Sequence, residues 1–281
     1  MSVRIICDST ADLLPQVKNQ VTVVPLTVRF GAKEYKDGID ITHREFYEKL
    51  VENDTLPSTS QACPTDFAAI FAECTKNGDQ AVVITVSSKL SGTYQSAVIA
   101  AQDYPEQIFV VDSKNVAIGS GILVELALEL AKQGMCAKEL AASLESEREF
   151  IRVIALLDTL EYLKRGGRIS KTAAFAGTML NIKPVACIAD GEIKLLGKAR
   201  GSKQGNNLLV QEIEKTGGID FEKPLLLGYT GLSDALLQKY IEDSAHLWKD
   251  NTDTLNQTAI GSVIGTHAGP GAIAVAFFST K

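Results

Sequence analysis

The chain has 281 residues, of which 45% are apolar, and this is long enough for two domains with large cores. Its net charge of −6 argues against a general nucleic-acid-binding protein. No membrane span is expected because no run of about 18 apolar residues occurs, and the start shows no signal-peptide pattern. Five scattered cysteines without a Cys-x-x-Cys pair indicate neither zinc nor redox chemistry, so a reducing cytoplasm is the expected compartment.

The first half of the chain alternates short apolar strands with helices. The pattern predicts strands at 4–7, 21–30, 81–84 and 108–111, and helices at 43–51, 65–76, 96–101, 116–132 and 137–150. Ser9 and Asp12 have the spacing of a capping box, which predicts a further short helix. This alternation predicts an α/β fold whose N-terminal domain, residues 1–152, is a three-layer α/β/α unit around a mainly parallel sheet.

The second half has a different pattern. It predicts strands at 153–157, 225–229 and 272–278, and helices at 160–165, 203–215 and 233–245, the first of them stopped by two glycines and followed by a new cap at Ser170. Asp190-Gly191 lies between two apolar runs and is a strong signal for a β-hairpin. Hairpins mixed with helices predict a C-terminal α+β domain with a mixed sheet over residues 153–281.

Three loops of small polar residues occur in the first half: Asp8–Thr10, Ser58–Gln61 and Ser87–Thr93. If the sheet is parallel, these loops can converge on one edge of it, where open α/β sheets bind their ligands. A helix N-terminus reached through small polar residues also attracts carboxylate or phosphate. The simpler alternative is that Ser91 only caps its helix, and the local sequence leaves both readings open.

Other features also allow two interpretations. His267 lies among three glycines and a proline, in a predicted loop, where it is either held by backbone bonds or part of a headgroup site. The segment 164–203 carries nine basic and two acidic residues, which predicts either a solvated surface or a docking face for an anionic partner. The helix at 118–130 is apolar on most of its circumference, so it is expected to be buried, either as plain core or as part of the wall of a tunnel or closed cavity, and we predict the second.

Several signatures are absent from the sequence. Gly-x-Ser-x-Gly, the P-loop, Gly-x-Gly-x-x-Gly and His-Glu-x-x-His do not occur. The sequence by itself therefore predicts no nucleotide site, no metal site and no cofactor.

Six motifs, taken together and in order, resemble the DegV family, the bacterial fatty-acid-binding proteins of the fatty acid kinase system. They are Asp8-Ser9-Thr10-Ala11-Asp12-Leu13, Val24-Pro25-Leu26, Thr59-Ser60-Gln61, Ser88-Lys89-Leu90-Ser91-Gly92-Thr93-Tyr94, Leu163-Lys164-Arg165-Gly166-Gly167-Arg168-Ile169 and Gly265-Thr266-His267-Ala268-Gly269-Pro270-Gly271. The resemblance implies a two-domain α/β fold that buries one long-chain fatty acid of C14 to C18.

The resemblance also implies a role for the protein. Such a protein is a cytoplasmic carrier without turnover of its own, which takes an acyl chain from the membrane surface. It then presents the carboxylate to an ATP-dependent fatty acid kinase subunit, and the acyl-phosphate enters phospholipid synthesis.

The same resemblance assigns residues. Thr59 and Ser91 hold the carboxylate, and His267 is the family's histidine. Around them, the expected carboxylate site comprises Thr59, Ser60, Ser91, Gly92, Thr93 and His267. The arginine of the family's Gly-Gly-Arg corresponds to Arg168, and the basic segment around it predicts kinase docking at Arg168, Lys164 and Arg165. One departure is that Ala62-Cys63 stands where the family usually has proline followed by serine or threonine, so a less rigid loop around Thr59 is expected.

Two alternatives come from other functional classes. One is an acyl or lipid hydrolase that uses Ser91 with His267, and the other is a sugar- or phosphate-binding module. The carrier is favoured because the chain has no nucleophile elbow and no acidic residue adjoining His267.

Overall fold

The computed structural model describes residues 2–53, 55–76, 78–169, 181–248, 251–252 and 255–280. Within them the strands are β1 Val3–Asp8, β2 Thr22–Val24, β3 Thr27–Phe30, β4 Lys33–Lys36, β5 Ser58–Ser60, β6 Gln80–Thr85, β7 Ile108–Asp112, β8 Ile151–Leu156, β9 Ile182–Ala189, β10 Glu192–Arg200, β11 Leu226–Tyr229, β12 Gln257–Ala259 and β13 Ile273–Phe278. Ser170, predicted to be a new helix cap, and Lys171, counted in the basic segment, lie outside these ranges.

The helices follow the predicted alternation. They are α1 Pro15–Lys18, α2 His43–Glu52, α3 Pro64–Thr75, α4 Thr93–Ala101, α5 Ile118–Lys132, α6 Ala137–Glu147, α7 Glu161–Arg165, α8 Gly201–Lys215, α9 Ala235–Asp243, α10 Ala245–Trp248 and α11 Ser262–Ala268. None of the described helices is both long and apolar enough to cross a membrane.

The N-terminal half is built on a parallel sheet of order β2-β1-β6-β7. Alternate residues of its strands pack on opposite faces, as the pleat requires. Ile6 and Val83 pack with α3 and α4 on one face, whereas Cys7 and Val82 pack with α5 and α6 on the other. The predicted three-layer α/β/α arrangement with a parallel sheet is therefore confirmed.

The second half forms a mixed sheet of order β10-β9-β8-β13-β11-β12. The predicted hairpin joins β9 to β10, and Asp190 and Gly191 both have positive φ, at 55° and 79°. These values fit the mirror-image turn that the twist of a two-residue hairpin favours. A small antiparallel sheet, β4-β3-β5, forms separate pairings from the two larger sheets. Thr59 lies in its strand β5, so the predicted loop at Ser58–Gln61 is wrong for Ser58–Ser60, which pair with β3.

The division at residues 152 and 153 remains a prediction. Strand β8 crosses this position, and one core cluster combines side chains from both sides of it, including Cys7, Ile122, Val153 and Ala274. Helix α5 supplies much of that cluster and packs against strands of both large sheets. Each half therefore buries part of the other half's apolar surface.

The capping box predicted at Ser9 and Asp12 is wrong. The Ser9 hydroxyl accepts a hydrogen bond from the Leu26 backbone N–H at 3.1 Å, and Asp12 accepts one from Gly261 N–H at 2.7 Å. Both side chains thus connect distant segments rather than capping a local helix, and the next helix begins only at Pro15. Local spacing could not reveal these long-range partners.

The prediction that His267 lies in a loop is also wrong. His267 lies in the last turn of α11, with Gly261 at the N-cap. The carboxylates of Asp12 and Asp37 accept hydrogen bonds from the first backbone N–H groups of this helix, Gly261 and Ser262. Negative groups at a helix N-terminus stabilise it, so a glycine-rich segment becomes a helix through residues more than 200 positions away.

Candidate functional site

One cavity lies between the carboxyl edge of the parallel sheet and one face of the mixed sheet. It has a volume of about 130 Å³ and largely aliphatic walls. Thr10 and Val86, which follow β1 and β6, line it from the parallel sheet. The predicted convergence of the three polar loops is confirmed, since Thr10, Thr59 and Ser91 all line this cavity.

Asp8 holds two of these loops together. Its carboxylate accepts hydrogen bonds from Thr10 N–H at 2.9 Å, from the Thr10 hydroxyl at 2.6 Å and from Val86 N–H at 2.7 Å. Burial raises the pKa of this carboxyl, and the three hydrogen bonds oppose that rise. Asp8 therefore fixes the cavity wall and is not presented to a ligand.

The opposite wall is a row of alanines, named here the alanine floor: Ala155, Ala186 and Ala274. Ala155 pairs with Ala186 on one side and with Ala274 on the other, so three neighbouring strands place a methyl group at the same level. All three line the cavity. Three small side chains in one register leave a space that larger side chains would fill.

The helix at 118–130 does not form the predicted tunnel wall. Its first three turns are buried against both large sheets, and the cavity touches this part of the chain only at Val116 and Ala117. Ala117 has φ 55° and ψ −136°, a conformation that a residue with a Cβ rarely adopts. Such strain is typical of functional sites.

Thr59 and His267 meet directly at the polar side of the cavity. The Thr59 hydroxyl lies 2.9 Å from His267 Nε2. His267 Nδ1 is buried and has no hydrogen-bond partner in the described part of the chain. Burial, together with the charge of Arg168, lowers the pKa of His267 to about 4, so the imidazole is neutral at pH 7.

Gly166 provides the space for the His267 ring. A Cβ at this glycine would lie 2.1 Å from His267 Nδ1 and 2.7 Å from Cε1. The backbone of Gly166 is ordinary, with φ −72°, so the histidine ring and not the dihedral angle requires a glycine here. At Gly167 the dihedral angle, not a neighbour, favours glycine: its φ is 68°, and nothing lies within 4 Å of a Cβ placed there.

Ser91 belongs to a second hydroxyl pair. Its Oγ lies 2.9 Å from Thr93 Oγ1 and accepts a longer bond from Thr93 N–H at 3.3 Å. Thr93 is fully buried in the first turn of α4, behind Ser91. Gly92 lies against the Gln61 side chain, where a Cβ would come within 2.0 Å of Gln61 Oε1. Gly92 and Thr93 thus position Ser91 without lining the cavity themselves.

Arg168 reaches from the end of α7 to the Ser91 loop. Its guanidinium donates to Leu90 C=O at 3.1 Å and to Gly166 C=O at 2.7 Å. Its side chain lines the cavity, and partial burial lowers its pKa. Thr59, Ser91, His267 and Arg168 all line this largely aliphatic space, and they are named here the polar cap.

Comparison with known families adds a match over nearly the whole sequence. The family model described as an uncharacterised protein of the DegV family matches residues 2–280. The chain belongs to the DegV family. A DegV domain-containing protein of Caldanaerobacter subterraneus is 38% identical to it over 99% of both chains.

Solved DegV structures share the same fold. A DegV family protein from Thermus thermophilus, described by its fatty acid binding, is 33% identical over 100% of both chains, with a TM-score of 0.89. A stearic acid-binding protein from Eubacterium ventriosum is 29% identical over 99% of this chain and 98% of its own, with a TM-score of 0.85. The predicted two-sheet α/β fold of the DegV family is therefore confirmed.

The other residues assigned from the DegV resemblance are placed as follows. Ser60 is exposed and lines the cavity, whereas Lys164 and Arg165 lie on the exposed face of α7, away from the cavity wall. Arg165 is paired with Glu161 at 2.6 Å. The roles of all these residues in binding and docking remain predictions.

The Ala62-Cys63 departure from the DegV pattern lies at the start of α3. Ala62 is buried, and Cys63 N–H donates to Asp66 at 3.0 Å. Pro64 follows in the first turn, where its fixed φ suits the helix. These contacts anchor the segment that carries Thr59 on its C-terminal side, despite the missing proline.

Sequence reasoning missed the alanine floor, the place of Arg168 in the cavity wall and the close approach of Gly166 to His267. The motif Lys164-Arg165-Gly166-Gly167-Arg168 was visible, but it gave no indication that its glycine touches a residue 101 positions away. Such a contact becomes visible only when α7 and α11 are placed side by side.

Proposed function

We propose that this protein binds a long-chain fatty acid in the cavity, with the carboxylate at the polar cap. The observation that carries the proposal is an aliphatic cavity with the hydroxyls of Thr59 and Ser91 and a neutral His267 on one side. Fatty acid binding by the Thermus thermophilus and Eubacterium ventriosum relatives supports it. A sugar phosphate is less well suited to these aliphatic walls.

The energy of such binding comes mainly from the hydrocarbon tail. Each buried methylene contributes about 0.8 kcal/mol, so about 15 methylenes contribute roughly 10 kcal/mol before the costs of association. A single exposed groove would capture only part of this free energy, so a buried tail is favoured. The proposed ligand is an acid of C14 to C18, taken up during transient contact with a membrane surface.

We further propose that the protein is a carrier, not an enzyme, and that an ATP-dependent fatty acid kinase phosphorylates the bound carboxylate. Hydrolysis would need Ser91 activated by His267. Ser91 instead bonds to Thr93, and His267 to Thr59, and no hydrogen bond joins Ser91 to His267 among the described residues. Nor does any carboxylate accept a bond from His267 Nδ1 there, although such a bond would orient a catalytic base.

Native mass spectrometry of the purified protein tests the proposal. A bound C14 to C18 acid, released on denaturation and identified by its mass, is the expected result. The same protein stripped of lipid should rebind palmitate in calorimetry with a 1:1 stoichiometry. A protein that purifies with a sugar phosphate, or that binds no acid after stripping, contradicts it.

Docking of the kinase is expected on α7, next to the polar cap. Lys164→Glu reverses an exposed charge there, so we expect several-fold slower acyl-phosphate formation with a fatty acid kinase and unchanged palmitate affinity. The defect should shrink at high salt. Lys138→Glu, an equal charge change on the distant helix α6, is the control. If acyl-phosphate formation is slowed equally in the two variants, α7 is not part of the docking surface.

A further inference from the structure

The mixed sheet opens into a fork beside the cavity. Strands β8 and β9 pair only where Ile154, Ala155 and Leu156 face Cys187, Ala186 and Val185. Beyond this point, 151–153 pairs only with β13, and 188–189 pairs only with β10. The two strands therefore separate, and the sheet is open between them.

A second cavity of about 370 Å³ fills this fork. It shares three lining residues with the first cavity, Val153, Cys187 and Ile188, which are named here the neck. Val153 is buried, whereas Cys187 and Ile188 are half-buried.

The charged groups around the fork already have partners. Lys114 pairs with Glu149 at 2.6 Å, and Lys215 pairs with Glu212 at 2.6 Å. Arg152 donates to two backbone carbonyls, at 2.8 and 3.0 Å. The remaining charged groups are Arg148, which donates to Asp112 C=O, and Asp190, which accepts from Lys194.

Apolar side chains form part of the lining of the fork, beside its charged and polar residues. Ile151, Val153, Ile154, Ile188 and Leu196 line it. Each charged group that lines the fork has a partner among the described residues, although Arg152 is held by carbonyl oxygens and not by a carboxylate. The apolar side chains form the part of the fork that fits hydrocarbon.

The size of the first cavity points to a use for the second. One water-sized group needs about 10–15 Å³ of cavity, so 130 Å³ holds on the order of ten such groups. A fatty acid of 16 or more carbons has more methylenes than that. The remainder of its tail needs a continuous apolar space, and the fork lies directly behind the neck.

We propose that the fork receives the methyl end of long acyl chains, which pass through the neck formed by Val153, Cys187 and Ile188. This inference rests on the proposed binding of a fatty acid in the first cavity. It assigns Ile188 as a residue that sets the upper limit of chain length. Acids of 20 and 22 carbons should accordingly be accepted.

Ile188 and Ile193 provide a matched pair for the test because they face each other across the β9–β10 hairpin and are both half-buried. Ile188 lines both cavities, whereas Ile193 lines only the first. Affinities of lipid-free protein for saturated acids of 14 to 22 carbons are measured by calorimetry. Melting temperatures confirm that each variant is folded.

In the wild type, the affinity for the 22-carbon acid should stay within about tenfold of that for palmitate. Ile188→Phe should lower the affinity more as the acid becomes longer, least for the 14-carbon acid and at least tenfold more for the 20- and 22-carbon acids than for that acid. Ile193→Phe should lower all lengths alike. Ile188→Ala widens the neck and should shift the preference toward the longer acids.

The thiol of Cys187 reports on the neck without any mutation. A 22-carbon acid should slow its alkylation by iodoacetamide more than a 14-carbon acid does, with exposed Cys63 as the internal reference. The inference is overturned if Ile188→Phe affects all lengths equally and Cys187 is equally reactive with both acids. Failure of every acid to bind the wild type would instead contradict the proposed function.

Discussion

The polar cap and the alanine floor face the same cavity, but the chain builds them in different ways. Thr59 and Ser91 lie in short polar segments whose neighbours in sequence also help to shape the site. The alanine floor takes one residue from each of three strands, and only the pairing of β9, β8 and β13 aligns them. The two hydroxyls of the polar cap are thus encoded locally, whereas the space beside the alanine floor is encoded by strand register.

The largest effect is expected at the polar cap. Thr59→Val combined with Ser91→Ala removes two hydroxyls that we expect to donate to the carboxylate. A hydrogen bond to a charged group contributes about 1.5–3 kcal/mol, so the pair should weaken palmitate binding by about 10²-fold or more if the effects add.

Calorimetry against palmitate measures this loss. The control is Ser58→Ala combined with Ser88→Ala, two exposed serines in the same segments that do not line the cavity. The control should bind as the wild type does. If the cap variant binds palmitate with wild-type affinity and has an unchanged melting temperature, these two hydroxyls do not bind the carboxylate.

The next effect is expected at the alanine floor. Ala155→Leu adds three carbons at the centre of the row, and the cavity can take them up. We expect roughly 10–100-fold weaker binding of every chain length, because overpacking costs about 1–3 kcal/mol when the tail competes for the same space. The ligand-free protein should be as stable as the wild type or more so, since cavity filling stabilises many proteins.

Weaker binding together with equal or greater stability distinguishes this effect from misfolding, which would lower both affinity and stability. Ala142→Leu, the same change on the exposed face of α6, should alter neither quantity. If Ala155→Leu leaves affinity unchanged, the tail does not lie on the alanine floor.

The same contrast explains which features could be predicted from the sequence. Periodicity predicted the parallel sheet, the β9–β10 hairpin and most helices because the residues that determine them are neighbours in the chain. The motifs around Thr59 and Ser91 were visible for the same reason. The helix that carries His267 was not, because its N-terminus depends on Asp12 and Asp37, far away in sequence.

The cavity itself could not be predicted. Alanines in a strand look like ordinary core residues until their cross-strand partners are known. Likewise, nothing in Gly166-Gly167 indicates that the first glycine makes room for His267 while the second provides a positive φ. Both features depend on which segments become neighbours in space.

The two glycines allow a finer test of the polar cap. Gly166→Ala should displace the His267 ring from Thr59, because the new Cβ would overlap Nδ1. We expect about tenfold weaker palmitate binding with little loss of stability. Gly167→Ala is strained by its φ of 68° but meets no neighbour, so it should lower stability by about 1 kcal/mol and leave affinity unchanged.

Affinity by calorimetry and stability by urea unfolding give two numbers for each variant. We expect Gly166→Ala to lose affinity and keep its stability, and Gly167→Ala to lose stability and keep its affinity. If both variants lose only stability, Gly166 does not position His267 for ligand binding.

The smallest effect concerns pH and the buried imidazole. His267 has a pKa of about 4 in the folded protein against an ordinary value of 6.5. Between these pH values the unfolded chain binds a proton that the folded one does not, so stability should fall as pH decreases from about 6.5 to 4. The slope is at most about 1.4 kcal/mol per pH unit. His267→Gln removes this contribution, and its stability should depend less on pH in that window.

The buried carboxyls of Asp8, Asp12 and Asp37 act in the opposite direction, since burial raises their pKa values and protonation then favours the folded state. The informative quantity is therefore the difference in unfolding free energy between His267→Gln and the wild type, followed by urea unfolding from pH 7 to 4.5. Parallel pH profiles for His267→Gln and the wild type would mean that His267 has the same pKa in the folded chain as in the unfolded one. The polar cap would then be open to water, unlike the alanine floor that it faces.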